Sequence, residues 1–235
     1  MTSGFFATLG LWDILSFVLF MGVWNGYGLF IDRQTRRSRT LTAAVNSHRL
    51  LWMRRMIERE NRIGDTAMVA NLTRNVAFLA STTMLILGGV LALLGSVEHS
   101  YSILMNLPYV QQTSKRMYEL KIIILALIFV YAFFKFTWSL QQFNFLNIML
   151  GSAPERNASE EEKRQAVRNV ARMNELGGRS YHQGVRAYYF AFAVIAWFFH
   201  SLVFVAFTVV VTAILWRREF HSRTFKAATG GYRGE

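Results

Sequence analysis

Few ionisable side chains lie inside the long apolar runs of this 235-residue chain, where a charge is costly unless it is paired or hydrated, and Lys135 and His200 are the two considered first. Lys135 lies five residues before the end of the run 120–140. Its stem could reach the headgroups at the membrane surface, or its charge could serve a pore or an ion pair. His200 lies fourteen residues past Arg186 in the run 187–216. We expect it to be a proton-responsive gate, a ligand or a neutral hydrogen-bonded histidine.

Arginines and side-chain amides also collect near the ends of these runs. They could form a cationic vestibule for an anion or a phosphate-bearing headgroup, or they could anchor the helix ends in the interface. The residues are Arg74, Asn75, Gln141, Gln142, Asn144, Asn147, Arg179 and Arg186. The predicted pathway or vestibule therefore consists of Lys135, His200, Arg74, Asn75, Asn144, Asn147 and Arg186.

No recognisable catalytic, cofactor or metal motif accompanies these residues. Cysteine is absent, which excludes disulfides, thiolate metal sites and cysteine nucleophiles. The chain also lacks a nucleophile elbow, a His-Glu-x-x-His motif, a glycine-rich phosphate loop and paired carboxylates within the apolar runs. Only His200 of the five histidines lies well inside a run, so a bis-histidine haem site within one chain is disfavoured. We predict no catalytic residue, metal or cofactor, and no enzyme.

Four apolar runs are long enough to cross a bilayer, which takes about 20 helical residues. They are 11–31, 76–96, 120–140 and 187–216. With 53% apolar and 17% charged residues, the composition agrees with a membrane protein. The prediction is an all-α, polytopic helical bundle forming a single membrane domain over residues 1–235, with four transmembrane helices.

Basic residues are concentrated in the connections, which orients the bundle. The segment 32–75 carries ten arginines and 141–185 carries six basic residues, whereas the connection between the second and third runs has only Lys115 and Arg116. Basic loops stay in the cytoplasm, so the N-terminus should lie outside. Four crossings then place the tail from Arg217, with its five basic residues, outside as well, against the same trend. We expect a bacterial inner membrane, and the net charge of +12 to meet anionic lipid headgroups rather than nucleic acid.

Two cytoplasmic surface helices are expected between the spans. Residues 41–63 repeat apolar side chains at helical spacing beside arginines, which is typical of an amphipathic helix that anchors at the membrane surface or recognises a lipid. Residues 159–176 begin with Ser159 and acidic residues and stop before Gly177-Gly178, a pattern of N-cap and C-terminal glycine.

Several segments in order along the chain resemble one known family. They include Asp13, Asn46-Ser47-His48-Arg49-Leu50-Leu51-Trp52, Leu72-Thr73-Arg74-Asn75, Phe143-Asn144-Phe145-Leu146-Asn147-Ile148, and Gly184-Val185-Arg186-Ala187-Tyr188-Tyr189 with Trp197-Phe198. These residues resemble the bacterial and plant membrane proteins grouped as domain of unknown function 599. The resemblance implies a small polytopic membrane protein and carries no activity.

Two functions remain open at this stage. Lys135, His200 and the cationic vestibule favour a small homo-oligomeric channel or transporter. The aromatic-rich spans with few buried polar groups favour a non-catalytic accessory or assembly subunit of a larger membrane complex. A lipid-binding role would rest on the basic amphipathic helix alone.

Overall fold

The computed structural model describes residues 10–108 and 110–230, and every regular element within them is a helix. The elements are α1 (Leu11–Arg36), α2 (Leu41–Ile57), α3 (Ile63–Gly95), α4 (Val97–Met105), α5 (Lys115–Gly151), α6 (Glu160–Trp197), α7 (Ser201–Phe220) and α8 (Arg223–Gly230). The predicted all-α bundle is confirmed.

Four stretches of helix are long and apolar enough to cross a membrane, namely Leu11–Arg36, Ile63–Gly95, Lys115–Gly151 and Ser201–Gly230. The chain is therefore a membrane protein with four candidate spans. Two of these helices are longer than predicted, because α3 has 33 residues and α5 has 37. At about 1.5 Å per residue they measure roughly 50 and 55 Å, so both extend well beyond a hydrocarbon layer of about 30 Å.

The predicted fourth run, 187–216, is not one helix. The chain turns at residues 198–200, and α7 packs back against α6. Residues 187–216 contain no glycine or proline, so the sequence offers no usual turn residue at this break. His200 supplies the turn instead, because its ring accepts a hydrogen bond from the backbone N–H of Leu202 at 3.0 Å as the N-cap of α7. Gln111 satisfies two more backbone groups, donating to the carbonyl of Phe199 at 2.8 Å and accepting from the N–H of Ser201 at 3.1 Å.

The predicted surface helix 159–176 is the first half of α6, which continues to Trp197. Ser159 caps it as expected, in a capping box with Glu162. The prediction of a C-terminus at Gly177-Gly178 is wrong because these glycines serve packing. A Cβ at Gly177 would lie 2.8 Å from the ring of Phe143. At Gly178 it would collide with the guanidinium of Arg49, so α6 meets both α5 and α2 at short distance.

The other predicted surface helix, 41–63, ends earlier, at Ile57. Thr40 caps its start by accepting from the N–H of Ala43. After a short turn the chain enters α3 at Ile63, so the last residues of the prediction belong to the turn and to the next helix. Asp65 at the start of α3 is buried and accepts from Trp52 Nε1 at 2.6 Å, which fixes α2 across the entrance of α3.

The bundle has two distinct ends. The basic end contains α2, the C-termini of α1 and α5, and the N-terminus of α3. The far end contains the N-termini of α1, α5 and α7. Trp197 at the end of α6 contacts Asp13 at the start of α1, so α6 runs the full distance from the basic end to the far end. The return through α7 brings Glu219 to the N–H of Thr42 at 2.9 Å. The prediction that the tail lies opposite the arginine-rich loops is therefore wrong: the helix break adds a pass, and the tail joins the loops at the basic end.

Aromatic rings fill the space between the two ends. Trp197 stacks on Phe17 and Phe204 with centroids 5.6 and 4.7 Å apart. Nearer the basic end, Trp24 stacks on Phe190 at 5.5 Å. This aromatic packing holds α1, α6 and α7 together.

Candidate functional site

A basin of about 350 Å³ opens at the basic end between α1, α2, α6 and α7. Spacings of three and four residues place one series of side chains on a single face of α6, where they line the basin. Five arginines and three acidic residues line it: Arg36, Arg172, Arg179, Arg186 and Arg218 against Asp32, Glu175 and Glu219. The basin thus carries an excess of positive charge beside the buried Leu215.

Asp32 at the end of α1 is the acidic centre of this basin. Its carboxylate lies 2.5 Å from Arg179 and 3.8 Å from Arg186. Both arginines come from α6, so this pairing fixes α1 to α6 at the basic end. Arg179 keeps 42% of its side chain exposed, whereas Arg186 keeps only 13%. The arginines therefore have donors left for a second anion beside Asp32.

His182 also lines the basin, on the same face of α6 as Arg179 and Arg186. Its ring nitrogens can donate to or accept from a ligand beside these arginines. Burial lowers the pKa of Arg49 on α2, while Glu175 opposes that effect.

The structure gathers only some of the predicted vestibule. Arg186 lines the basin, together with Arg179. Arg74 and Asn75 are exposed on α3, where Arg74 bonds Asn71 at 3.1 Å. Asn144 is exposed and Asn147 half-buried on α5, and none of these four lines the basin. Gln142 is buried 2.8 Å from the hydroxyl of Ser180, and Gln141 is exposed.

Lys135 and His200, the two ionisable residues singled out first, lie in different places. Lys135 is half-buried on α5, with its ammonium 5.3 Å from the centre of the Tyr131 ring. His200 lies at the far end in the turn before α7, so its placement well inside a span is wrong. The helix break explains this error, because the residue treated as the middle of one span is the N-cap of another.

A second polar cluster closes the far end. Asp13 accepts from Trp197 Nε1 and from the Ser201 hydroxyl, both at 2.7 Å, and lies 3.4 Å from the ammonium of Lys121. Lys121 also donates to the carbonyl of Trp197 at 3.0 Å, where it neutralises the end of α6. Asp13 and Lys121 are both almost fully buried. We call these four residues the far-end cluster.

Sequence reasoning missed Lys121, Asp32 and His182. Lys121 is the second residue of the predicted third run, and Asp13 lies at a similar depth in the first. Opposite charges at similar depths in two runs could have predicted that these two residues pair. Asp32 had no comparable signal, because Arg33 follows it directly in the sequence whereas its partners Arg179 and Arg186 lie on another helix. No pattern in the sequence indicated that His182 lines the basin.

Comparison with protein families gives a match over almost the whole chain. The family model described as "Protein of unknown function, DUF599" matches residues 15–224. The chain belongs to this family. The suspected relationship is confirmed, and the matched range includes Asp32, Lys121, Arg179 and Arg186 but begins after Asp13.

Neither the curated proteins nor the solved structures contain a significant match to this chain. In residues 10–108 and 110–230, no three histidine or acidic side chains come together as a metal site.

Proposed function

We propose that the protein is a small transporter whose basin at the basic end binds an anionic group. The observation that carries this proposal is the pair of arginines on Asp32, Arg179 and Arg186, in a water-accessible basin of about 350 Å³ with further arginines around it. Charged residues at membrane depth are costly and mark ligand pathways. The proposal involves no catalytic step.

A carrier agrees with the packing better than an open channel. Aromatic side chains pack α1, α6 and α7 against one another between the basin and the far-end cluster. Each end holds an ionic cluster that joins α1 to neighbouring helices, Asp32 at one end and Asp13 at the other. Passage would require these clusters to open in turn, which describes alternating access.

The proposed orientation places the basic end in the cytoplasm, with the arginine-rich loop, the second loop and the tail all on that side. Anionic lipid headgroups would then surround α2 and the helix ends. A bacterial inner membrane remains the proposed location. The proposed assembly is a homo-oligomer, which native mass spectrometry of the gently extracted protein would show as three or more copies.

Anion binding by the reconstituted protein tests this function. Arg179→Gln removes a basin arginine, whereas Arg168→Gln removes an exposed arginine of α6 that pairs with Glu161. We expect inorganic phosphate to protect the wild type and Arg168→Gln against thermal unfolding, and to protect Arg179→Gln much less. Proteoliposomes that contain the wild type or Arg168→Gln should take up the anion, and those that contain Arg179→Gln should take up much less. Equal responses of the two variants, or no binding and no uptake by the wild type, would overturn the proposal.

An accessory subunit is the second candidate, and one observation favours it. Four apolar side chains near the basic-end termini of α3 and α5 are exposed: Ile63, Met68, Phe145 and Ile148. A membrane partner could cover this surface. Mild-detergent purification should then recover one stoichiometric protein partner, and its repeated absence would count against this candidate.

A further inference from the structure

Three cavities adjoin one another along α1. The basin shares Asp32 and Arg186 with a polar crevice of about 170 Å³. The crevice in turn shares Trp24, Asn25 and Tyr131 with an apolar groove of about 330 Å³. A path from charged to apolar surroundings thus runs along one side of the bundle.

The apolar groove lies between α1 and α5, which run in the same direction and do not pack closely together here. Its walls are Phe17, Phe20 and Met21 on one side and Ile124, Leu127 and Ile128 on the other. The rings of Trp24 and Tyr131, in edge contact with centroids 5.8 Å apart, lie where the groove meets the crevice. The side chain of Leu127 is 61% exposed, so the groove is open to the hydrocarbon around the bundle.

The crevice supplies charge at the end of this groove. Arg186 is largely buried there and lies 3.8 Å from Asp32. Lys135 follows Tyr131 by one helical turn, with its ammonium over that ring. The amides of Asn25 and Gln183 also line this region. Arg186 lines the crevice with Asp32, and the Lys135 ammonium lies beside Tyr131, another lining residue, so positive charge remains at this end to pair with an anionic group.

A ligand that fills both parts must be amphipathic and anionic. A free phosphate would occupy the charged end only and would leave the groove to bulk lipid. We propose that the occupant is an anionic phospholipid, with its phosphate between Arg186 and Lys135 and one acyl chain in the groove between α1 and α5. This inference rests on the proposed function, since it names the anion that Arg186, an arginine of the basin, binds.

The experiment compares two probes and separates the charged end from the apolar end. The protein in detergent micelles is titrated with short-chain phosphatidylglycerol or with inorganic phosphate, and binding is followed by thermal stability and native mass spectrometry. Leu127→Trp fills the groove, and Leu85→Trp is its control, because Leu85 is an exposed side chain of α3 away from the groove. Arg186→Gln and Lys135→Met each weaken the charged end.

We expect Leu127→Trp to weaken phosphatidylglycerol binding by about tenfold or more and to leave phosphate binding unchanged. Leu85→Trp should behave as the wild type. Arg186→Gln should weaken both probes, and Lys135→Met gives the same test should Arg186→Gln not fold.

Two results would overturn the inference. Phosphate binding together with unchanged phosphatidylglycerol affinity in Leu127→Trp would show that a soluble anion is the ligand, and the proposed function would stand. Absence of binding for both probes would remove the proposed function as well.

Discussion

Asp13 and Lys121 form an ion pair that is almost fully removed from water at the far end of the bundle. Each partner has further hydrogen bonds, to Trp197 and Ser201 on one side and to the Trp197 carbonyl on the other. Burying two charges is costly, and only such additional bonds compensate for the loss of solvation. The pair therefore specifies how α1, α5 and the α6–α7 turn meet.

Removing one partner should be worse than removing both. Asp13→Asn leaves the ammonium of Lys121 buried without its counter-charge, at a cost of about 3–5 kcal/mol. The double variant Asp13→Asn with Lys121→Met should recover much of that loss. Thermal unfolding in one detergent compares the wild type, the two single variants and the double variant. The exposed pair Glu98–Lys115 is the control and should contribute little to stability. If the losses of stability from Asp13→Asn and Lys121→Met simply add in the double variant, the pairing is contradicted.

At the scale of helices, α6 determines the architecture because it contacts α5, α7 and α2. Its glycines allow this. A Cβ at Gly184 would lie 2.6 Å from the ring of Phe136, which is fully buried and cannot move aside. A Cβ at Gly88 on α3 would have no neighbouring atom within 4 Å.

Gly184→Ala should therefore destabilise the protein by about 1–3 kcal/mol through overpacking. Gly88→Ala makes the same chemical change in open space and should be neutral or slightly stabilising, because alanine favours helix. Thermal midpoints of the two variants decide the matter. A stable Gly184→Ala would mean that α6 and α5 lie farther apart than described.

The same helix explains what the sequence could and could not predict. Apolar runs of membrane length reveal α1, α3 and α5, and Ser159 with its acidic neighbours reveals the start of α6. Gly177-Gly178 carries the pattern of a helix end, and only the partners Phe143 and Arg49 show that it serves close packing. His200 caps α7 with the help of Gln111, a residue from a distant segment, so local patterns could not predict that break. For the basin, Arg186 and Arg179 were predictable as basic residues near a span, whereas their pairing with Asp32 depends on tertiary structure.

For the whole molecule, the break at residues 198–200 changes the side on which the chain ends. The absence of native cysteine makes this directly measurable by labelling single introduced cysteines. Glu60→Cys and Thr224→Cys should react with an impermeant reagent from the same side of the membrane, and His99→Cys from the opposite side. If Thr224→Cys and His99→Cys instead react from the same side of the membrane, the chain has the simple topology of four crossings.

The polarity of α6 also bears on how the protein is made. It is absent from the helices apolar enough to span a membrane alone, and it carries Arg179, His182 and Arg186 along the face that meets α1. A translocon that partitions segments one at a time would have little reason to release such a helix into lipid. Integration of α6 should therefore wait until α7 has been synthesised, so that the two enter as a hairpin beside α1 and α5, and the biogenesis of the bundle follows a different order from the order of its sequence.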